Sequence, residues 1–170
     1  MNMTSKYKLI IGLGNPSSKY EKNRHNLGFI VLDNYLSNKA EWSFNKKFNS
    51  EVCVYNNIIF AKPFTYMNES GDAVESIASY YKISSEEILV DQDEIDLPFG
   101  SVKVAFDSSD AGHRGIRDII KKLGTKQFHR LRFGIGRPTD YTPVDDYVLQ
   151  DFSANELEEI SKFKIENYLN

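Results

Sequence analysis

The sequence predicts an α/β fold: one mixed, largely parallel β-sheet surrounded by helices. Three observations carry this. Short apolar runs alternate along the chain with runs of helical period, the pattern of strands joined by helical crossovers. Several apolar runs end in glycine, asparagine or acidic residues, as strands do when their carboxyl ends build a site. The chain has 170 residues, 41% of them hydrophobic and 26% charged, which suits a single domain with one substantial core.

Lys8 to Gly14 is an apolar run closed by glycines and reads as a buried strand, broken by Asn15-Pro16. His25 to Leu36 has the period of an amphipathic helix, with Phe29, Leu32 and Leu36 on one face. Glu51–Tyr55 and Ile58–Ala61 are strand-like and joined by Asn56-Asn57, a hairpin turn. The stretch Phe64 to Gly71 follows, and then Ala73, Val74, Ile77, Ala78 and Tyr81 mark a helix. Glu87–Val90 reads as a strand that ends in the acidic Asp91-Gln-Asp-Glu-Ile-Asp96. Ser101–Phe106 is a further strand, and Asp107 to Gly115 a loop. Ile116, Ile119, Ile120 and Leu123 mark a helix, with Arg114, Arg117 and Lys121 on its outer side. Arg130–Gly136 reads as the last strand. A final helix is expected from Ser153 to Leu169, opened by the capping box Ser153-Ala-Asn-Glu156.

Composition excludes several classes. A lone Cys53 rules out an internal disulfide and a thiolate metal site, and its alternating neighbours Val52 and Val54 give it a packing role. No apolar run reaches the length of a membrane span, and the N-terminal residues carry no apolar leader region, so cytoplasm is the expected compartment. Net charge is -3, but charge is distributed in blocks: basic over 1–60 and 101–140, acidic over 61–100 and 141–170. Such blocks can gather into a basic face, although ordinary solvated surface accounts for them as well. GxGxxG and Walker sequences are both missing, which leaves a generic nucleotide-binding reading without a phosphate loop.

The groups suited to hydrolysis are His25, Asp93, Asn15 and Asn68, all placed to meet at one edge of the sheet. A histidine with a carboxylate partner is a general base, and amide side chains hold a carbonyl or an oxyanion. No serine sits in a G-x-S-x-G elbow, and the spacing of His25, Asp93 and His113 matches no zinc signature.

Ile11-Gly-Leu-Gly-Asn-Pro16, Tyr20 and Asn23 to Phe29 resemble the N-terminal motif of bacterial-type peptidyl-tRNA hydrolases. Lys62 to Gly71, Asp93 to Gly100, Gly112-His113 and Phe128 to Pro138 resemble the family's later motifs, in its order and spacing, over roughly residues 8 to 152. The resemblance implies a monomer that cleaves the ester between a peptide and the 3′ end of tRNA, contacting acceptor stem, 3′ end and peptide, with no cofactor or metal. It implies His25 as the base that activates water, Asp93 as its supporting carboxylate, and Asn15 as the group that favours peptidyl over free aminoacyl substrate. Asn68 would hold substrate near the ester, with Tyr20, Tyr66 and Met67 lining the cleft, and His113 and Arg132 would also contact substrate.

Two departures stand out. The family's G-G-x-G-G-H-N-G loop is here Ser108-Ser-Asp-Ala-Gly-His-Arg-Gly115, with Arg114 in place of a substrate-binding Asn. Arginine is a donor-only cation. Near His25 it would lower the imidazole's pKa; alternatively it grips a phosphate, or pairs with Asp93 or Glu94. Ser108 and Ala111, standing where the family has glycines, would stiffen the loop. The resemblance also implies a Lys–Arg phosphate clamp. Arg132 matches the Arg, but Ala105 stands where the Lys is expected, and Lys103 lies two residues back, roughly 7 Å along the strand. The alternative reading is therefore a relative with weakened or lost catalysis that binds RNA or a protein.

Overall fold

The computed structural model describes residues 4–170; Met1 to Met3, part of the stretch read as lacking a leader, lie outside the described residues. Seven strands form one sheet: β1 (Leu9–Gly12), β2 (Ser43–Asn45), β3 (Ser50–Tyr55), β4 (Ile58–Pro63), β5 (Ile88–Glu94), β6 (Val102–Phe106) and β7 (His129–Gly134), in the order β2-β3-β4-β1-β5-β7-β6. The central pairs β4/β1, β1/β5 and β5/β7 are parallel, and the outer pairs are antiparallel. The β3–β4 turn falls at Asn56-Asn57 as the sequence predicts. Both residues have positive φ (51° and 63°), which asparagine tolerates in the tight turns that match strand twist.

Alternation along the strands divides the core in two. Ile10, Leu89, Leu131 and Phe133 face helix α1 (Leu27–Leu36), whose Leu27, Val31, Leu32 and Leu36 are buried against them. Leu9, Ile11, Ile88 and Val90 face the opposite way, toward α2 (Ser70–Tyr81) and α3 (Arg114–Leu123). Helix α1 can lie this close to the sheet because Gly12 and Gly28 meet beneath it: a Cβ added at Gly12 would sit 2.5 Å from the Gly28 carbonyl oxygen. Among the described residues, no helix is long and apolar enough to cross a membrane.

The structure corrects the sequence reading in three places. Strand β5 does not stop at Val90 but runs through Asp91, Gln92, Asp93 and Glu94, all buried, because β7 pairs with it as far as Glu94↔Gly134. The single C-terminal helix is instead α5 (Ala154–Ser161) followed by a 3-10 turn (Ile165–Tyr168). Five residues separate Ile160 from Ile165, a rotation of roughly 140° on a straight helix, and the break returns Ile165 and Leu169 to the core that buries Ile160. A short helix α4 (Val144–Tyr147) and the edge strand β2 were not expected. His25, read at or near the start of its helix, lies in a 3-10 turn, Arg24–Asn26, just ahead of α1.

Asp91 is fully buried and neither carboxyl oxygen has a hydrogen-bond partner among the described residues. Burial, and then the negative charge of Asp93, raise its carboxyl well above the usual range. The folded state thus holds this proton more tightly than the unfolded chain, and Asp91 costs stability as pH rises from the unfolded value near 3.9. Asp91→Asn is expected to gain stability relative to wild type as pH is raised from about 4 to 7, measured by urea unfolding; a difference independent of pH would contradict the assignment.

Candidate active site

The residues that could do chemistry converge at the carboxyl ends of β1, β4 and β5. Asn15 follows β1. Met67 and Asn68 lie in a 3-10 turn (Met67–Glu69) after β4, and Asp93 is within β5. A cleft of about 620 Å³ opens there, lined by Asn15, Tyr20, His25, Tyr66, Met67, Asn68, Asp93, His113 and Arg114 among others. Nine of the ten site residues expected from the sequence therefore meet. Arg132 does not line the cleft: its Nη2 donates to Ser108 Oγ at 2.8 Å.

Asp93 is the centre of the arrangement. Its Oδ2 lies 2.9 Å from His25 Nδ1, and its Oδ1 lies 2.9 Å from His113 Nε2. Proton positions follow from the partners. His113 caps α3, and its Nδ1 accepts the backbone N–H groups of Gly115 (3.1 Å) and Ile116 (3.3 Å). Its proton therefore sits on Nε2 and is donated to Asp93. Asp93 as an ionised acceptor fixes the His25 proton on Nδ1, which leaves His25 Nε2 as a lone-pair base. Burial alone would raise the Asp93 carboxyl, but the two imidazoles reverse this and hold it well below the usual carboxylate range. For His25, burial opposes the imidazolium, yet Asp93 outweighs burial through its charge and its hydrogen bond. The net pKa lies above the ordinary 6.5.

Backbone contacts hold the base in place. The His25 N–H donates to the Val148 carbonyl (2.8 Å), Arg24 N–H to Gln150 O (3.0 Å), and Phe152 N–H to Lys22 O (2.9 Å), so residues 22–25 are zipped to the segment after α4. Asn26 binds Asn15 twice, accepting its N–H at 2.9 Å and donating to its carbonyl at 3.0 Å. Asn15 Oδ1 accepts the Met67 N–H at 2.7 Å, and its NH₂ is what remains to offer a substrate. Met67 itself is 4% exposed and packs in the core beneath α3, whereas Tyr66 and Asn68 are exposed at the cleft. Sequence reasoning assigned no role to Asn26, and the Val148 contact uses a carbonyl that any residue carries.

Arg114 pairs with neither Asp93 nor Glu94. Its Nη2 donates to Asp145 Oδ2 at 2.9 Å. It does oppose the His25 imidazolium, as expected, but Asp145 acts the other way and Asp93 dominates both. The substituted loop is braced by Asp110, which accepts the Gly112 N–H at 2.7 Å, and Ala111 adopts φ 49°, a left-handed conformation that disfavours a side chain. On the neighbouring strands, Lys103 is the register partner of Arg132, and Ala105 faces Arg130. The offset read from the sequence thus sets Lys103 beside Arg132 across the ladder.

His25, Asp93 and His113 offer three ligand atoms within 4.8 Å of one another. The donor chemistry does not fit a metal. With Nδ1 of His113 already accepting two backbone donors, Nε2 could ligate only if the ring gave up its remaining proton and became an imidazolate.

A family model described as peptidyl-tRNA hydrolase matches residues 9–168. The chain is 44% identical over 162 residues to the peptidyl-tRNA hydrolase of Aquifex aeolicus, covering 91% of this chain and 83% of that protein. It is 44% identical over 169 residues to the one from Ruthia magnifica, covering 96% and 85%. The crystal structure of peptidyl-tRNA hydrolase from Acinetobacter baumannii superposes with a TM-score of 0.83 at 33% identity, covering 94% of this chain and 84% of that one.

Proposed function

The chain belongs to the peptidyl-tRNA hydrolase family, and from that premise we propose how its residues cleave the ester that joins a peptide to tRNA. The observation that carries the assignment is the Asp93 carboxylate held between two imidazoles, with only His25 keeping a free ring nitrogen toward the cleft. His25 Nε2 takes a proton from a water as that water's oxygen bonds to the ester carbonyl carbon. The imidazolium that forms is stabilised by Asp93. As the tetrahedral intermediate collapses, the bond to the ribose oxygen breaks and the imidazolium returns its proton to that oxygen. The products are free tRNA and the peptide's carboxylic acid, which gives its remaining proton to solvent and becomes a carboxylate.

The amide of Asn68 serves as a donor to the carbonyl oxygen as negative charge develops there. Asn15 supplies discrimination. Its free NH₂ donates to the carbonyl of the preceding peptide unit; a free aminoacyl-tRNA presents an ammonium at that point, which cannot accept. Tyr20 and Tyr66 line the walls along which the chain lies. The cleft is lined by residues of a single chain, which suits a monomer, and a tRNA ester as substrate assigns its work to translation in the cytoplasm. A non-catalytic binding role is not favoured, since the departure at Arg114 leaves Asp93 on His25.

A blocked aminoacyl-tRNA tests the reading: the wild-type protein is expected to release free tRNA and the blocked amino acid. Bound but uncleaved tRNA would turn the assignment toward the non-catalytic role. On the tRNA body, Arg132 with Lys103 supplies a paired cationic site for a phosphate. Arg132→Ala is expected to weaken tRNA binding and reduce the slope of log K against log salt by about 0.7–0.9, the loss of one phosphate contact. An unchanged slope would remove Arg132 from the interface.

A further inference from the structure

The cleft is short of positive charge for a site that receives the end of a nucleic acid. Glu69, Asp93, Glu94, Asp145 and Asp146 all line it, and Arg114 is the one lysine or arginine among the described lining residues. Asp93 is engaged by the two imidazoles; the remaining carboxylates oppose a polyanion. Arg114 is spent in the resting protein on Asp145, but loosely. The contact is a single 2.9 Å hydrogen bond, and the two side chains are 60% and 72% exposed. An ion pair that exposed contributes little and exchanges readily.

Its position gives it a use. Arg114 directly follows His113, which holds one oxygen of Asp93. Asp145 lies in α4, three residues before Val148, whose carbonyl holds the His25 backbone. The pair therefore links the two walls that flank His25. A guanidinium fork suits a phosphate as well as a carboxylate, and most of its donors are not used by Asp145.

We propose that Arg114 is a specificity residue that takes a phosphodiester at the RNA end of the substrate, with Asp145 as the resting counterion that the phosphate displaces. The inference rests on the peptidyl-tRNA hydrolase reading. The exchange keeps the guanidinium neutralised throughout, so Arg114 does not act unopposed on the imidazolium of His25. It also makes Asp145 a filter: anions too weakly held to displace it do not occupy the cleft.

The test is hydrolysis of a blocked aminoacyl-tRNA, together with binding of deacylated tRNA over a salt series, for wild type, Asp145→Asn, Arg114→Gln and the double variant. Asp145→Asn is expected to lower KM and the tRNA Kd about two- to fivefold, the scale of freeing one exposed partner. Arg114→Gln is expected to raise both and reduce the salt slope by about 0.7, one single-strand phosphate contact. In the double variant the gain from Asp145→Asn disappears, because its target is gone. If the pair is only a strut between α3 and α4, both single variants lower kcat or thermal stability alike and neither changes tRNA affinity, which overturns the proposal. A wild-type protein that cleaves nothing would remove the hydrolase reading instead, while the deacylated-tRNA series still decides what Arg114 binds.

Discussion

Asp93→Asn is expected to slow hydrolysis of a blocked aminoacyl-tRNA by about 1,000- to 10,000-fold in kcat, the order of loss when a base is left in the wrong tautomer. The geometry explains why an isosteric change should be so damaging. His113 must keep its proton on Nε2, because its Nδ1 accepts two backbone N–H groups at the start of α3. An asparagine at 93 therefore turns its single carbonyl oxygen toward His113 and its NH₂ toward His25. That NH₂ demands a lone pair on His25 Nδ1, and the proton moves to Nε2, where the attacking water needs a base. The pH profile carries a second signature. In wild type the charge of Asp93 raises the His25 pKa against burial. Activity needs neutral His25, so it falls as pH drops through a value above 6.5. Without the charge, burial governs, and the acid limb of whatever activity remains moves to lower pH. A loss below tenfold, or a limb that does not move, would contradict this account of Asp93.

His25→Ala is expected to lower kcat by about 100- to 10,000-fold, the usual contribution of a positioned general base, with tRNA binding little changed. The separation follows from the structure. The imidazole is largely buried and held by Asp93, whereas the phosphate contacts proposed above fall to Arg114, Arg132 and Lys103. Truncation also leaves Asp93 buried with one partner fewer, at a cost in stability. His25→Gln keeps an amide donor in the neighbourhood of Asp93 but supplies no base, so a folded His25→Gln that is equally slow assigns the loss to chemistry. Turnover near wild type in either variant would remove His25 from the reaction.

How much of this was legible in the sequence differs from element to element. Helices α1, α2 and α3 and the β3–β4 hairpin follow from apolar period and turn residues, because each buries one face against the sheet. Strand β5 was cut short at Val90 because the apolar run ends there and acidic residues follow. Parallel pairing with β1 as far as Asp91 and with β7 as far as Glu94 carries the strand onward, and its charges are absorbed by means a linear pattern does not display: two imidazoles on Asp93, a retained proton on Asp91. The capping box placed the start of α5 correctly, but the break near Lys164 depends on where the core receives Ile165. Strand β2 and helix α4 are too short and exposed to show a period.

The site was legible as a set of residues and less so as a set of roles. Asn15, His25, Asn68 and Asp93 reach the cleft as their places near the ends of strand-like runs suggest. The grip of His113 on Asp93 rests on which ring nitrogen meets the α3 backbone, and that appears only in three dimensions. The partner of Arg114 lies 31 positions along the chain, in a helix the sequence did not reveal, so the pairing could not be read beforehand, although a phosphate grip was one of the alternatives the sequence left open.

The pH dependence of single-turnover hydrolysis of a blocked aminoacyl-tRNA, wild type beside His25→Ala, is the most direct test of His25 as a general base oriented by Asp93. The expected profile for wild type is one acid limb with its midpoint above the ordinary histidine value of 6.5, absent from the residual rate of His25→Ala. A wild-type rate that is flat between about pH 5.5 and 8, or a limb that survives in His25→Ala, would place the base elsewhere.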